Sequence, residues 1–209
     1  DMVSRGLGDV YKRQVVYGHG IIDDRLSAQA SAEILTPLGI AVIAIDAPHH
    51  GRHPTSPPDG ADPIESALGL LGADLDTLEL NTDVMRNNFR QAASDKLQLL
   101  TLLEQHTDID GDGASDLDFT RLGYHGVSLG GIMGPEFLSL RDDIDIALLA
   151  VPGGRLSTLF ADSEIMSLFL VLLQSLVEDK SDTDRLLPVA QTSIDAGDPP
   201  VSYTHLTLP

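Results

Sequence analysis

The chain has 209 residues, 42% of them hydrophobic and 22% charged, which suits a single globular domain with a sizeable core. Its formal net charge is −19, with 25 aspartates and only three lysines, so it offers no basic face to a nucleic-acid backbone. The absence of cysteine excludes disulfides and thiolate metal sites, and no apolar run reaches the roughly 18 residues of a membrane span.

In chain order, the first stretch, "DMVSRGLGDVYKRQ" (1–14), carries no periodicity that connects it to the rest, and neither does the last, "VSYTHLTLP" (201–209). Both resemble translated adapter sequence found at the ends of open reading frames from metagenomic assemblies. They are set aside as scars, and residues 15–200 are read as the natural segment. "VVYGHG" (15–20) is a short apolar run ending at glycine, a buried strand. "SAQASAEILTPL" (27–38) reads as a helix with Ser27 placed to cap it, Gly39 to end it, and Pro37 a poor fit to its last turn. "IAVIAID" (40–46) is a strand buried on both faces, and the three segments make a βαβ unit with parallel strands.

Residues 47–80 are rich in Pro and Gly and too long for an ordinary connection. A helix over 82–105 carries one apolar stripe: Met85, Phe89, Ala92, Ala93, Leu97, Leu100 and Leu103. "RLGYHG" (121–126) is a strand, 129–140 a helix with Pro135 expected to kink it, and "IDIALLAV" (144–151) a further strand. "EIMSLFLVLLQSLV" (164–177) is apolar on nearly every face, so it is either deeply buried or rests on an apolar surface. The alternation predicts an α/β fold, a parallel central sheet flanked by helices.

"GYHGVSLGG" places Ser128 between Gly126 and Gly130, with Gly131 following, at the join of a predicted strand and a predicted helix. Two readings stand: a nucleophile elbow, whose tight turn leaves no room for a side chain at the glycines, or a glycine-rich turn whose serine only caps the helix. Strand and helix on the correct sides favour the elbow. The histidines of "APHHGRH", His49, His50 and His53, fit no zinc template and read better as a turn. In "DIDGDGASDLD", Asp108, Asp110, Asp112, Asp116 and Asp118 with Gly113 follow the alternate-residue spacing of a calcium loop, although Phe119 stands where a bidentate acid is expected. Structural Ca²⁺ and a solvated acidic loop both remain open.

"VVYGHG", "IAVIAIDAPHHGRH" and "GYHGVSLGG" occur in the order and spacing of the α/β-hydrolase fold, and the chain resembles part of such a fold over about residues 15–160. "NTDVMRNNFRQAASDKLQLL", "DIDGDGASDLDFTRLGYHGVSLGG" and "AQTSIDAGDPP" are similar to the large secreted lipases of Gram-negative bacteria, of the extracellular-lipase or virulence-factor-lipase type. This resemblance implies a serine carboxylic-ester hydrolase acting on an ester or lipid through an acyl-enzyme at Ser128, in a secreted or cell-envelope protein. It implies that His19-Gly20 opens an oxyanion hole, with the backbone N–H of Ile21 as first donor and that of Leu129 as second. It also implies a helical cap that starts after residue 152 and spans about 153–190.

In such enzymes the triad runs Ser, acid, His along the chain. After Ser128 the only histidine is His205, within the adapter-like tail. Asp195 and Asp198 sit in a proline-rich loop, and His125, on the strand before the serine, points wrongly for a base. The triad acid and histidine are therefore expected to be missing, and the chain as it stands to hydrolyse little or nothing. The alternative function is a non-catalytic, calcium-stabilised binding domain with the same fold.

Overall fold

The computed structural model describes residues 13–59, 62–74, 76–77, 79–162 and 183–198. The apolar segment 164–177, His205 and most of both adapter-like ends lie outside the described residues.

Strand β1 (Arg13–Gly18) starts two residues before the boundary read from the sequence, because Arg13 and Gln14 pair with Ile40 and Ala41 of β2 (Ile40–Ala44). Between them, helix α1 (Ala28–Leu35) tightens into a 3-10 turn over Thr36–Leu38, where Pro37 is accommodated, and Gly39 ends it at φ 73°. The expected cap at Ser27 is not used. Asp24 caps a preceding 3-10 turn by accepting the Leu26 N–H, and the Ser27 hydroxyl donates to the Asp24 carbonyl.

The segment 47–80 is less irregular than its composition predicts. It contains α2 (Pro63–Leu71), capped by Asp62 with Pro63 at its first position, and the two-residue strands β3 (Ala73–Asp74) and β4 (Glu79–Leu80). Helix α3 (Thr82–Gln105) matches its predicted span, with Asn81 accepting the N–H groups of Asp83 and Val84. The predicted stripe is its buried face, except that Leu97 and Leu103 are half-buried and Lys96 is buried among the apolar residues.

After α3 come β5 (Leu122–Val127), α4 (Leu129–Ser139), β6 (Ile144–Ala150), α5 (Leu156–Asp162) and α6 (Thr183–Ile194). Helix α4 runs unbroken through the buried Pro135. Four strands form one parallel sheet in the order β2-β1-β5-β6.

Helices flank this sheet on both faces. Tyr17 and His125 meet α1 through Ser27 and Ser31 on one face, while Val16, Leu122 and Tyr124 join α3 and α4 in a core with Leu100 and Phe137 on the other. A second apolar cluster gathers Ile21, Leu70, Leu71, Met85, Phe89, Leu129, Met133, Leu156 and Ile194. Ile21 and Leu129, each just past the carboxyl end of a strand, thus belong to one cluster.

Candidate active site

The strand order itself marks where a ligand belongs. The chain enters the sheet at β1, moves outward to β2, then returns past β1 to β5 and continues outward to β6. The order reverses between β1 and β5, the place in such sheets where the carboxyl-end loops diverge and ligands bind. Gly18 of β1 pairs with Gly126 of β5 at that carboxyl end. The residues that follow are His19-Gly20-Ile21 on one side and Val127-Ser128-Leu129 on the other.

Ser128 has φ 52° and ψ −111°, a conformation that L side chains rarely adopt. Backbone bonds hold it there. Its N–H donates to the Ala150 carbonyl at 2.9 Å, and its carbonyl accepts from Ile132 N–H at 2.9 Å, the first turn of α4. Glycine is needed on both sides. A Cβ on Gly126 would lie 2.8 Å from the nitrogen of Gly131, one on Gly130 would lie 2.8 Å from the Cα of Gly18, and one on Gly131 would lie 2.8 Å from the Ala150 carbonyl oxygen. Strand, strained serine and helix packed on glycine have the geometry that a nucleophile elbow requires. The fold is α/β, a four-stranded parallel sheet flanked by helices.

Two ties draw the loop after β1 against this elbow. Gly130 N–H donates to the His19 carbonyl at 2.9 Å, and a Cβ built on Gly20 would stand 3.8 Å from the Ser128 Cβ. The Gly20 carbonyl accepts from His19 Nδ1 at 2.8 Å and from Asp23 N–H at 3.1 Å. In a trans peptide the C=O and the next N–H point in opposite directions. Fixing the Gly20 oxygen with two donors therefore fixes the Ile21 N–H on the other side. Among the described residues neither Ile21 N–H nor Leu129 N–H has an acceptor, although both residues are buried. N–H groups without an acceptor are uncommon on buried residues. Among the described residues two such residues stand beside the serine.

The tautomer of His19 follows from its partners. Nδ1 faces a carbonyl and so carries the proton, while Nε2 accepts the Ala47 N–H at 2.9 Å. Burial holds its pKa down at about 4, so the ring is neutral and its lone pair is already engaged. His19 is a brace for the turn and has no capacity left to act as a base.

Tyr124, which the sequence reading did not single out, supports the elbow from below. Its buried hydroxyl donates to the Gly130 carbonyl at 2.7 Å, and burial pushes its pKa up. A side chain at Gly18 would strike that hydroxyl, which is the physical reason for glycine there.

The groups weighed as triad members, and His53 of the turn after β2, have different partners. His125 Nδ1 faces the Ser31 hydroxyl at 3.2 Å, on the α1 face of the sheet. His53 Nε2 meets Asp95 at 3.1 Å and its Nδ1 meets the Thr55 hydroxyl at 2.8 Å. Asp198 is buried and accepts the Arg155 and Leu156 N–H groups, so it caps α5, and Asp195 binds the Gln191 amide. Among the described residues the Ser128 hydroxyl has no hydrogen-bond partner.

In the acidic loop, one carboxylate oxygen from each of Asp108, Asp110 and Asp116 lies within 4.8 Å of the others. That spacing fits oxygens around one hard cation with bonds of roughly 2.3–2.6 Å. Asp112 and Asp118 are not part of this group; they accept the N–H of Ala114 and of Thr120. Gly113 takes φ 89°, the sharp turn that its place in the loop requires.

No protein-family model matches the sequence, and no curated protein does. Among solved structures, the esterase EaEST from Exiguobacterium antarcticum is similar at 13% sequence identity and a TM-score of 0.47, over 94% of this chain and 70% of that one.

Proposed function

We propose that this chain carries the nucleophile and the oxyanion hole of a serine carboxylic-ester hydrolase. One observation supports it above the rest: a serine in a strained strand-to-helix turn at the reversal of strand order, beside two buried residues whose N–H groups have no acceptor among the described residues. In this reading the Ser128 Oγ attacks the ester carbonyl carbon as its proton passes to a base. The carbonyl oxygen becomes an oxyanion held by Ile21 and Leu129 N–H, the alkoxide leaves with a proton, and water then releases the acid from the acyl-enzyme. Losing one such donor typically removes roughly 3–4 kcal/mol of transition-state stabilisation.

The base and its acid lie outside the described residues in this reading. The narrower expectation is a secreted lipase acting on an ester or lipid, and it rests on the sequence resemblance. The test is a fluorophosphonate probe followed by peptide mapping. Slow, stoichiometric modification at Ser128 that disappears in Ser128→Ala supports the hydrolase. A chain that takes no label at Ser128 is a non-catalytic domain that retains the fold.

We also propose that Asp108, Asp110 and Asp116 hold a structural Ca²⁺ away from the chemistry, since their oxygens converge while Ser128 lies elsewhere in the chain. A ligand at about 100 times its Kd adds about 2.7 kcal/mol to stability. For a domain of this size each kcal/mol raises Tm by roughly 2–4 °C. Calorimetry in millimolar calcium should therefore show a Tm several degrees above that in EDTA. An unchanged Tm would leave only an acidic loop.

A further inference from the structure

The turn after β2 places a buried imidazole against the loop that carries the first oxyanion donor. His50 is 1% exposed. Its Nε2 lies 2.8 Å from the Ile21 carbonyl and its Nδ1 lies 2.9 Å from the Pro48 carbonyl. Its ring is tilted against that of His19, with centroids 5.0 Å apart.

The turn that presents His50 is itself pinned. The His50 N–H donates to the Ala47 carbonyl at 3.0 Å, and the Asp46 carboxylate accepts the N–H groups of Arg25 and Arg52 and pairs with the Arg25 guanidinium. Burial works against the Asp46 charge, but these donors hold its carboxyl below the usual range. His50 therefore reaches Ile21 from a fixed base.

We infer that His50 is a positioning residue for the oxyanion hole: by donating to the Ile21 carbonyl it completes a clamp on Ile21 that His19 begins. His19 fixes the peptide between Gly20 and Ile21, and His50 fixes the one between Ile21 and Ile22. With both planes held, the backbone rotation of Ile21, and so the direction of its N–H, is restricted. Remote misplacement of a catalytic group by 1 Å can lower rate about 100-fold. This inference rests on the reading of Ser128 as nucleophile.

The two ring nitrogens allow a test that separates this role from simple support of the turn. Glutamine places its amide nitrogen near the position of Nε2, and asparagine near that of Nδ1. A neutral His50 has one N–H for its two carbonyl neighbours, and the inference assigns it to Nε2. His50→Gln should be able to donate to Ile21, and His50→Asn only to Pro48. The first readout is the Asp23 amide, whose bond to the Gly20 carbonyl reports the order of the loop. Its hydrogen exchange should accelerate at least tenfold in His50→Asn and stay near wild type in His50→Gln. The second readout is the rate of fluorophosphonate labelling at Ser128, expected to fall roughly tenfold or more in His50→Asn and to be restored in His50→Gln.

Equal loss in both variants, with thermal transitions retained, assigns His50 to the turn and overturns the inference. So does a His50→Asn that behaves as wild type in both readouts. Should His50→Asn fail to fold, loss of labelling or faster exchange in a folded His50→Gln overturns it equally. A wild-type chain that takes no label removes the hydrolase reading, and the Asp23 exchange then reports whether His50 orders the loop at all.

Discussion

Gly130→Ala should lose about 3 kcal/mol of stability or more, the largest effect expected of any single methyl group added to the chain. The added carbon would stand 2.8 Å from the Gly18 Cα and nearer still to the Gly18 carbonyl, all of it backbone at the centre of the parallel sheet. A side chain can rotate out of the way; a strand paired on both sides cannot. Gly126→Ala should behave alike, because its new carbon meets the Gly130 carbonyl carbon at 2.5 Å. Gly39→Ala is the contrast. Gly39 has φ 73° but open space around it, so only the left-handed backbone strain remains, about 1–2 kcal/mol. Urea unfolding of the three variants orders them. A Gly130→Ala within 1 kcal/mol of wild type would mean that β1 and α4 do not approach as closely as described.

Two buried groups should make stability depend on pH in opposite directions. His19 has a folded pKa of about 4 against 6.5 for the free side chain, because burial opposes its charge. Between pH 6.5 and 4 the unfolded chain takes up a proton that the folded chain refuses, so this contribution is present above 6.5 and lost as pH falls. The full loss is about 3 kcal/mol. Glu136, on α4, is pushed up from 4.5 to about 7 by burial, with Arg90 only 3.9 Å away in partial compensation. Its second carboxylate oxygen is buried with no partner among the described residues.

Here the folded chain holds the proton that the unfolded chain releases. The Glu136 contribution is present below pH 4.5 and lost as pH rises towards 7, by about 2 kcal/mol after allowing for its partial exposure. The two slopes largely offset each other in the wild type. Glu136→Gln should therefore be more stable than wild type at pH 7, by about 2 kcal/mol, and should lose that advantage by pH 4.5. Urea unfolding at both pH values measures the difference. A constant gap between the two proteins would show that Glu136 is not protonated by the fold.

Much of the fold is legible in the chain because its signals are local. The apolar runs at 15–18, 40–44, 122–127 and 144–150 are strands, although β2, expected to be buried on both faces, is only half-buried and Ile146 and Leu148 of β6 are exposed among the described residues. Helix α3 is legible from one apolar stripe, and its span matches. The glycines around Ser128 are legible because a close approach between backbones admits no other residue. Helix α2 was missed because the Pro-Gly richness of 47–80 masks a nine-residue helix that proline begins at Pro63 and Gly72 ends.

What the sequence determined by itself is therefore the four parallel strands, helix α3 and the strand–serine–helix join, each encoded by residues a few positions apart. What only the tertiary structure decided is the company those residues keep. Ile21 and Leu129 lie 108 positions apart, and the structure brings both side chains into one apolar cluster. The partners of His50 and His19 and the burial of Lys96 and Glu136 are likewise long-range results. Local propensity is read from neighbours in the chain. A hydrogen bond or a pKa is set by neighbours in space, and the return of the chain past β1 to β5 brought those neighbours together.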